Sequence, residues 1–533
     1  MKTTKTIIFL SMLFCCIYAQ GQVKTNLNNA LKFTEKGKFN KAYSKGIDFE
    51  IPAKNIDALL EQERNELNST NEDKPFRLAK AIPVDIDIAQ KVKWTEDGMY
   101  AYAKFSIKLK GAMSSSINFD KFYLPKDTEM WIYNESGEMI TGPVTENENN
   151  LNQIWGSWVY QEEYLTVEIK TPLVTKAKLL LHTNNVAYGY KQVYKTEAGG
   201  FGLSAPCNIN VICPLGVGWE AERNSVALVL NQNGEVWCSG AMIMNTCNTN
   251  RPFFLTANHC FTGQNVTAWR FMFQAFSSTC PHPGINSDGV TYNGSTLRAN
   301  WDGSDFCLVE LNSTPPVNSG IHYAGWSRNT NNITSTTIIH HPRGDVMKIS
   351  RDIQPPVFEG FLGANCWRLG LDQGATEGGS SGGPYFDQNH RIIGQHYGVN
   401  DADLPICQRF NKFGGRFDLS WTGDGTNATR LSNWLDPNNL GTMTTNTTNI
   451  NNLLNVSNPA NQIVGANLIC SIGSTSNYSI VVPTGLTITW SASGSVSINS
   501  NTGIATAIGN GAGTITANVS GGTCGTVTFT KSV

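Results

Sequence analysis

An all-β chain is what the sequence predicts, and three observations predict it. Period-two alternation marks the first part: Ala101, Ala103, Phe105, Ile107 and Leu109 alternate with Tyr102, Lys104, Ser106 and Lys108, the pattern of a half-buried strand. Short strand-like runs recur in the tail, at Tyr478 to Val482, Thr487 to Trp490 and Gly513 to Val519, with turns such as Asn501-Thr502-Gly503 between them. The composition is rich in Gly, Asn, Ser and Thr, and 40% hydrophobic with 10% aromatic residues, which suits a loop-rich globular β protein and excludes a disordered one. A length of 533 residues implies several domains. The formal charge of -2 gives no polyelectrolyte signal, so neither nucleic acid nor an anionic membrane surface is an expected partner.

In chain order, residues 1–19 read as an export signal: Lys2 and Lys5, an apolar run from Ile7 to Ile17, then Ala19. That run is too short for a stable membrane anchor, and no later segment is long enough to span a bilayer. Export makes the cysteines beyond it disulfide candidates and the protein a secreted one. Residues 20–200 form an N-terminal β-rich unit. It opens with a polar stretch carrying one helix over Asn55 to Leu67, where Ile56, Leu59, Leu60 and Leu67 share a face. From about 80 to 190 the alternation, with turns such as Asn134 to Gly137, predicts a β-sandwich that holds no cysteine. The glycine-bearing loop Thr196 to Gly202 is a hinge.

Chemistry concentrates after the hinge. Glu377-Gly378-Gly379-Ser380-Ser381-Gly382-Gly383-Pro384 runs straight into the apolar Arg391 to Gly398, which a flexible linker does not do. Small residues in a tight loop can expose one hydroxyl, that of Ser381, and aim the amides of Gly379 and Ser381 at a developing oxyanion. A serine needs a base and a group to orient that base. His259 ends the apolar run Phe253 to Asn258, and Asp305 opens the apolar run Phe306 to Leu311. Singly, His259 reads better as a core histidine and Asp305 as a turn residue. Together, in the order His, Asp, Ser, they form one of the known orders of a nucleophilic triad. His340-His341 has no metal-ligand partner at helical spacing, no His-Glu-x-x-His occurs, and no glycine-rich loop ends in Gly-Lys-Ser or Gly-Lys-Thr. Neither a metal nor a cofactor is expected. Arg343-Gly344-Asp345 reads as a turn.

These three boxes resemble the chymotrypsin-like (trypsin-type) serine peptidases, and more closely the bacterial lysyl endopeptidases. The closer likeness rests on Cys207 to Pro214, His340 to Asp345, Thr376 to Gly382 and Phe413 to Phe417. The resemblance implies a double β-barrel over 201–440, a secreted endopeptidase acting on proteins or peptides, Ser381 as nucleophile, His259 as base and Asp305 as its orienting acid. It also implies the disulfides Cys207–Cys407, Cys213–Cys280 and Cys238–Cys260, leaving Cys247, Cys307 and Cys366 unassigned, and a pro-segment role for 20–200. The substrate pocket departs from the family. Ala375 and Asn411 stand where trypsin-type and lysyl enzymes respectively place an acid, while His396-Tyr397-Gly398 resembles the His-Trp-Gly of glutamyl endopeptidases. A basic preference is therefore the expectation and an acidic one, through His396, its rival; Asp401, Asp403 and Asp418 are the alternative acids. A non-catalytic surface adhesin on the same fold is the rival from another class, and three filled triad positions argue against it.

Beyond Pro437 a Thr/Asn-rich linker is expected over 441–463. Residues 464–533 resemble the immunoglobulin-like or PKD-like modules of secreted bacterial enzymes, a β-sandwich that Cys470 and Cys524 would staple. Binding to a surface or polymer is the role that resemblance implies.

Overall fold

The computed structural model describes residues 23–26, 47–68, 75–137, 139–192, 202–281, 289–457, 462–522 and 524–533. The export signal at 1–19 and hinge residues 196–201 lie outside the described residues. The expected helix is present over Ile56–Asn68. After it come two sheets face to face. One contains Phe49–Ile51, Tyr100–Leu109, Tyr164–Pro172, Glu129–Tyr133 and Ile140–Val144; the other contains Trp155–Gly156, Ser114–Tyr123, Leu180–Gly189 and Ala79–Asp87. Ala101, Ala103, Phe105, Ile107 and Leu109 are all buried, as the alternation requires, and most of them pack in one core with Phe119, Phe122 and Trp155 of the opposing sheet.

The first of these sheets does not end with the N-terminal unit. Val23–Asn26 pairs on one side with Ile140–Val144 and on the other with Gly289–Asn293, so the sheet continues into the next unit. There it runs through Arg270–Phe273, Val226–Leu230, Val236–Met242, Phe253–Ala257, Phe306–Leu311 and Ser295–Trp301. An eight-stranded sheet follows in the order Ile209–Asn210, Lys348–Asp352, Thr336–His340, Pro384–Asp387, Ile392–Val399, Asn411–Arg416, Ala364–Gly370 and Val357–Phe361. A common core joins the two, with Phe254, Leu255 and Leu308 from the first and Ile339, Phe386 and Ile392 from the second. The last unit has two three-stranded sheets closed over Trp490, Ile515, Ala517 and Phe529. Its strand Gly513–Gly522 alternates buried and half-buried residues over most of its length, so the tail strands are legible from their period.

Two expectations are corrected. The 441–463 segment is docked up to residue 457: Thr448–Asn449 pairs with His322–Tyr323, Thr445 N donates to Trp326 O, and Ile450, Leu453 and Leu454 are buried. These three apolar side chains, spaced through an Asn/Thr-rich run, give it a face to bury. Cys524 pairs with Cys247, not with Cys470, which is an exposed free thiol. The physical reason is the docked segment. Asn250 N donates to Leu454 O and Asn250 Nδ2 to Asn455 Oδ1, which holds the tail against the Cys247 loop and leaves the Cα atoms of Cys247 and Cys524 5.0 Å apart, within bridging range. The three disulfides implied by resemblance are present, and Cys307 and Cys366 are buried thiols whose burial raises their pKa values.

Where the N-terminal unit meets the next, Glu148 is enclosed, accepting from Trp155 Nε1 at 3.2 Å. Burial pushes its carboxyl from 4.5 up to about 7, with the Trp155 and Asn293 side chains pulling the other way. A carboxyl raised in the folded state stabilises fully below its unfolded value. That stability is lost as pH climbs from 4.5 through about 7, by about 1.4 kcal/mol per pH unit at most. Thermal unfolding of Glu148→Gln should therefore give a Tm no higher than wild type near pH 4.5 and clearly higher at pH 8. An unchanged difference across that range would count against the buried acid.

Candidate active site

The sites singled out in the sequence converge at the junction of the two middle sheets. Phe253–Ala257 ends in the single turn Asn258–Phe261, which carries His259. Asp305 follows the turn Asp302–Ser304 and adopts φ 49°, ψ 34°, a left-handed conformation that aspartate tolerates better than most residues. That conformation lets one buried carboxylate grip the histidine twice: Oδ2 is 2.9 Å from His259 Nδ1, and Oδ1 accepts from His259 N at 2.9 Å. Burial pushes the Asp305 carboxyl up, and the His259 ring and amide offset part of that. The second sheet helps hold the turn, because Gln395 Nε2 donates to Ser304 O at 2.8 Å and to Asp305 O at 3.0 Å.

Ser381 is delivered to the same place by backbone bonds. Its carbonyl accepts from Ser239 N at 2.8 Å and lies 3.9 Å from the sulfur of Cys260, the residue after His259. Ser239 also donates its hydroxyl to Gly379 O and accepts from His341 N, so one small side chain ties strand, loop and turn together. Gly379 and Gly382 have φ of +97° and +80°, and a Cβ on Gly382 would collide with Thr256 and Ser239. Within the loop, the amides of Ser380, Gly382 and Gly383 donate to Glu377 O, His396 O and Ser380 O. Those of Gly379 and Ser381 donate to no acceptor among the described residues, the arrangement an oxyanion hole requires. Ser380 itself is turned away, its hydroxyl 2.8 Å from His340 Nδ1. The His340-His341 pair thus acts as buried scaffold: His340 Nε2 lies 3.1 Å from Ser350 Oγ, and burial pushes the two imidazoles down to about 3 and about 4.

The pocket residues divide. Tyr397 stacks on the His259 ring at 5.4 Å and meets Phe361 edge-on at 5.3 Å, and Gly398 follows a bulge in the strand. His396 is fully buried. Its Nδ1 is 2.9 Å from the Tyr385 hydroxyl, its Nε2 has no partner, and burial holds its pKa far below the ordinary value. Asn411 is drawn outward, accepting from Arg368 at 3.4 Å, while its backbone amide donates to Asp401 Oδ2. Asp418 is paired with Arg416 at 2.6 Å, and Asp403 is exposed. Sequence reasoning missed Ser239, Gln395, Tyr385 and Lys412. Lys412 is wholly buried on the strand Asn411–Arg416, and the signal that could have found it is a lysine between Asn411 and an apolar Phe413.

The family model described as lysyl endopeptidase, C-terminal domain, matches residues 201–403. The lysyl endopeptidase of Pseudomonas aeruginosa is 27% identical over 367 residues, 63% of this chain and 78% of that protein. Among solved structures, a thermostable serine protease AL20 from an extremophilic microorganism is 14% identical, covering 37% of this chain and 92% of that one at a TM-score of 0.27. Human heparin binding protein is 17% identical, covering 37% and 87% at a TM-score of 0.27. The chain is a serine-type endopeptidase whose described residues are mostly β-strands. It is similar to the lysyl endopeptidases, and the match of the family model ends at residue 403, ahead of Asn411 and Lys412.

The Cys238–Cys260 bridge closes a separation of 22 residues beside His259. Removing it with Cys238→Ser and Cys260→Ser should cost on the order of 3 kcal/mol of stability and lower turnover. Denaturant unfolding and a peptidase assay check both; stability within 0.5 kcal/mol of wild type, a rough noise limit, would refute the estimate.

Proposed function

We propose that Ser381 is the nucleophile of this endopeptidase, with His259 as general base and acid and Asp305 as the group that orients it. The observation that carries this is the double contact of Asp305 with His259. It fixes the imidazole with Nδ1 toward the carboxylate, so that Nε2 is the nitrogen left for the serine. Ser381 Oγ adds to the scissile carbonyl carbon while its proton passes to His259. The oxyanion is held by the amides of Gly379 and Ser381, and the proton returns to the departing amine. Water then repeats the sequence on the acyl-enzyme. Export through residues 1–19 belongs to the same reading, and no described helix is long and apolar enough to cross a membrane. A fluorophosphonate probe should label the protein and fail to label Ser381→Ala. Asp305→Asn should lower kcat on the order of 10⁴-fold, as in the Ser-His-Asp template, and His259→Ala by more. Labelling that persists in Ser381→Ala would remove the nucleophile assignment.

For the residue preceding the cut, the pocket favours an acidic side chain over the lysine in the relative's name. A substrate ammonium needs a buried carboxylate, since a desolvated unpaired cation costs several kcal/mol, roughly. Ala375 and Asn411 offer none, Asp418 is committed to Arg416, and Asp401 spends Oδ2 on the amides of Phe410 and Asn411, leaving its Oδ1 as the one rival acceptor for a basic side chain among the acids named above. Lys412 instead faces the same side of its strand as Gly414, which packs on the Tyr385 ring beside His396. Beyond burial, the first charged group to act on His396 is Lys412, a cation. In the tautomer where Nδ1 accepts from Tyr385, His396 Nε2–H is a buried donor awaiting an acceptor, and Thr376 Oγ1 is a second buried polar atom without a partner. Cleavage of a mixed peptide library, read by mass spectrometry, should show cuts after Glu or Asp that disappear in His396→Ala. Cuts after Lys or Arg would reverse the preference and leave the triad untouched.

A further inference from the structure

We infer that the N-terminal domain is a permanent partner of the peptidase: when the chain between them is cut, the two pieces stay together as a two-chain enzyme held without a covalent link. No cysteine lies between Cys16 and Cys207, so once residues 1–19 are removed no disulfide within this chain can join the pieces. The association rests on three features of the seam.

The first is a shared core. Leu228, Leu230, Trp237, Met272 and Val346 of the peptidase belong to the same buried cluster as Phe119 and Trp155 of the N-terminal sandwich, not to the core of their own sheets. Separation would put an indole, a thioether and three aliphatic side chains into water as one patch, the kind of surface that soluble monomers rarely carry.

The second is backbone pairing at two places. Val23–Asn26 bridges the two halves of one sheet, with Val23 opposite Thr291 and Thr25 opposite Thr141. Phe76–Arg77 pairs with Val236 and Trp237, Leu78 N donates to Glu235 O at 2.7 Å, and Ala81 N donates to the Glu235 carboxylate at 2.6 Å. The Phe76 ring stacks on Trp237 at 6.0 Å and lies under Arg343, whose amide donates to Gly378 O of the nucleophile loop. Departure would leave open strand edges on the peptidase.

The third is Arg270, a peptidase residue with no exposed surface and, among the described residues, no carboxylate acting on it. Its guanidinium donates to Asn118 Oδ1 of the N-terminal domain and to Asn231 O and Gln232 O of its own. Asn118 Nδ2 returns a bond to Asn233 O at 3.1 Å. Gly156 has no room for a Cβ, which would collide with the guanidinium. Burial lowers the Arg270 pKa to about 9, a measure of how completely this cation has given up water for neutral acceptors supplied partly by the other domain. A pro-region built for release would leave its partner a polar face. This one supplies one of the three acceptors of a buried cation.

The test uses the full chain carrying Ser381→Ala, with a recognition sequence for a site-specific protease inserted between Lys195 and Gly199. After complete cutting, size exclusion with mass detection should return both fragments in one peak of the uncut mass, separating only in denaturant. Two peaks in native buffer would overturn the inference, whether or not the peptidase fragment stays soluble. Asn118→Ala in the same background should shorten the lifetime of the cut complex at least tenfold, while an exposed control, Thr502→Ala, leaves it unchanged. An unaltered lifetime in Asn118→Ala would overturn the part assigned to Arg270.

Discussion

The carboxylate of Asp305 is the constraint on which the rest of the site depends. It is withdrawn from water, which penalises its charge, and it is compensated by two bonds to one residue, the ring and the amide of His259. Such a group cannot be moved without leaving a buried charge unpaired, so it holds the histidine turn as firmly as the turn holds it. Gln395 extends the hold to the second sheet by binding the carbonyls of Ser304 and Asp305. The two halves of the site are therefore clamped across the junction by side-chain bonds, with Cys238–Cys260 closing the near side.

The loop that carries Ser381 is held differently, almost entirely through its backbone. Ser239 binds the loop through its amide and its hydroxyl, His340 binds it through one ring nitrogen, and two glycines at positive φ give it a path other residues would strain. Small side chains matter here for what they permit. The loop can pack against buried histidines because burial keeps those imidazoles neutral, with His340 held by two serine hydroxyls and His341 by the carbonyl of Asp345. A polar layer inside a β core is costly unless its members have partners, and His340 has two.

Stability in this chain is not apportioned by domain. The N-terminal sandwich shares its core with the first peptidase sheet, and the tail is tied to that sheet's far side by Cys247–Cys524 and by the docked 444–457 segment. The first peptidase sheet is thus buttressed from two directions, while the second carries the pocket. Its strand Asn411–Arg416 brings Lys412 and Gly414 inside and turns Asn411 toward Arg368.

By itself the sequence determined the strand character of both flanking units, the helix near residue 56, and the three short motifs around His259, Asp305 and Ser381. These are written by neighbours a few residues apart: alternation follows from the two-residue pleat, and a tight loop announces itself by glycine and serine. Three cysteine pairs were legible only through family likeness. The tertiary structure decided what depends on residues far apart in the chain. That Cys524 meets Cys247 follows from where the Asn/Thr-rich segment docks, which three apolar residues decide. That Lys412 points inward and Asn411 outward is set by strand register, and a shift of one residue would exchange them. Arg270 is the clearest case. Nothing local marks an arginine in Arg-Phe-Met-Phe as buried, because its acceptors lie far along the chain, and one of them, Asn118, belongs to another domain and reaches it only when both have folded.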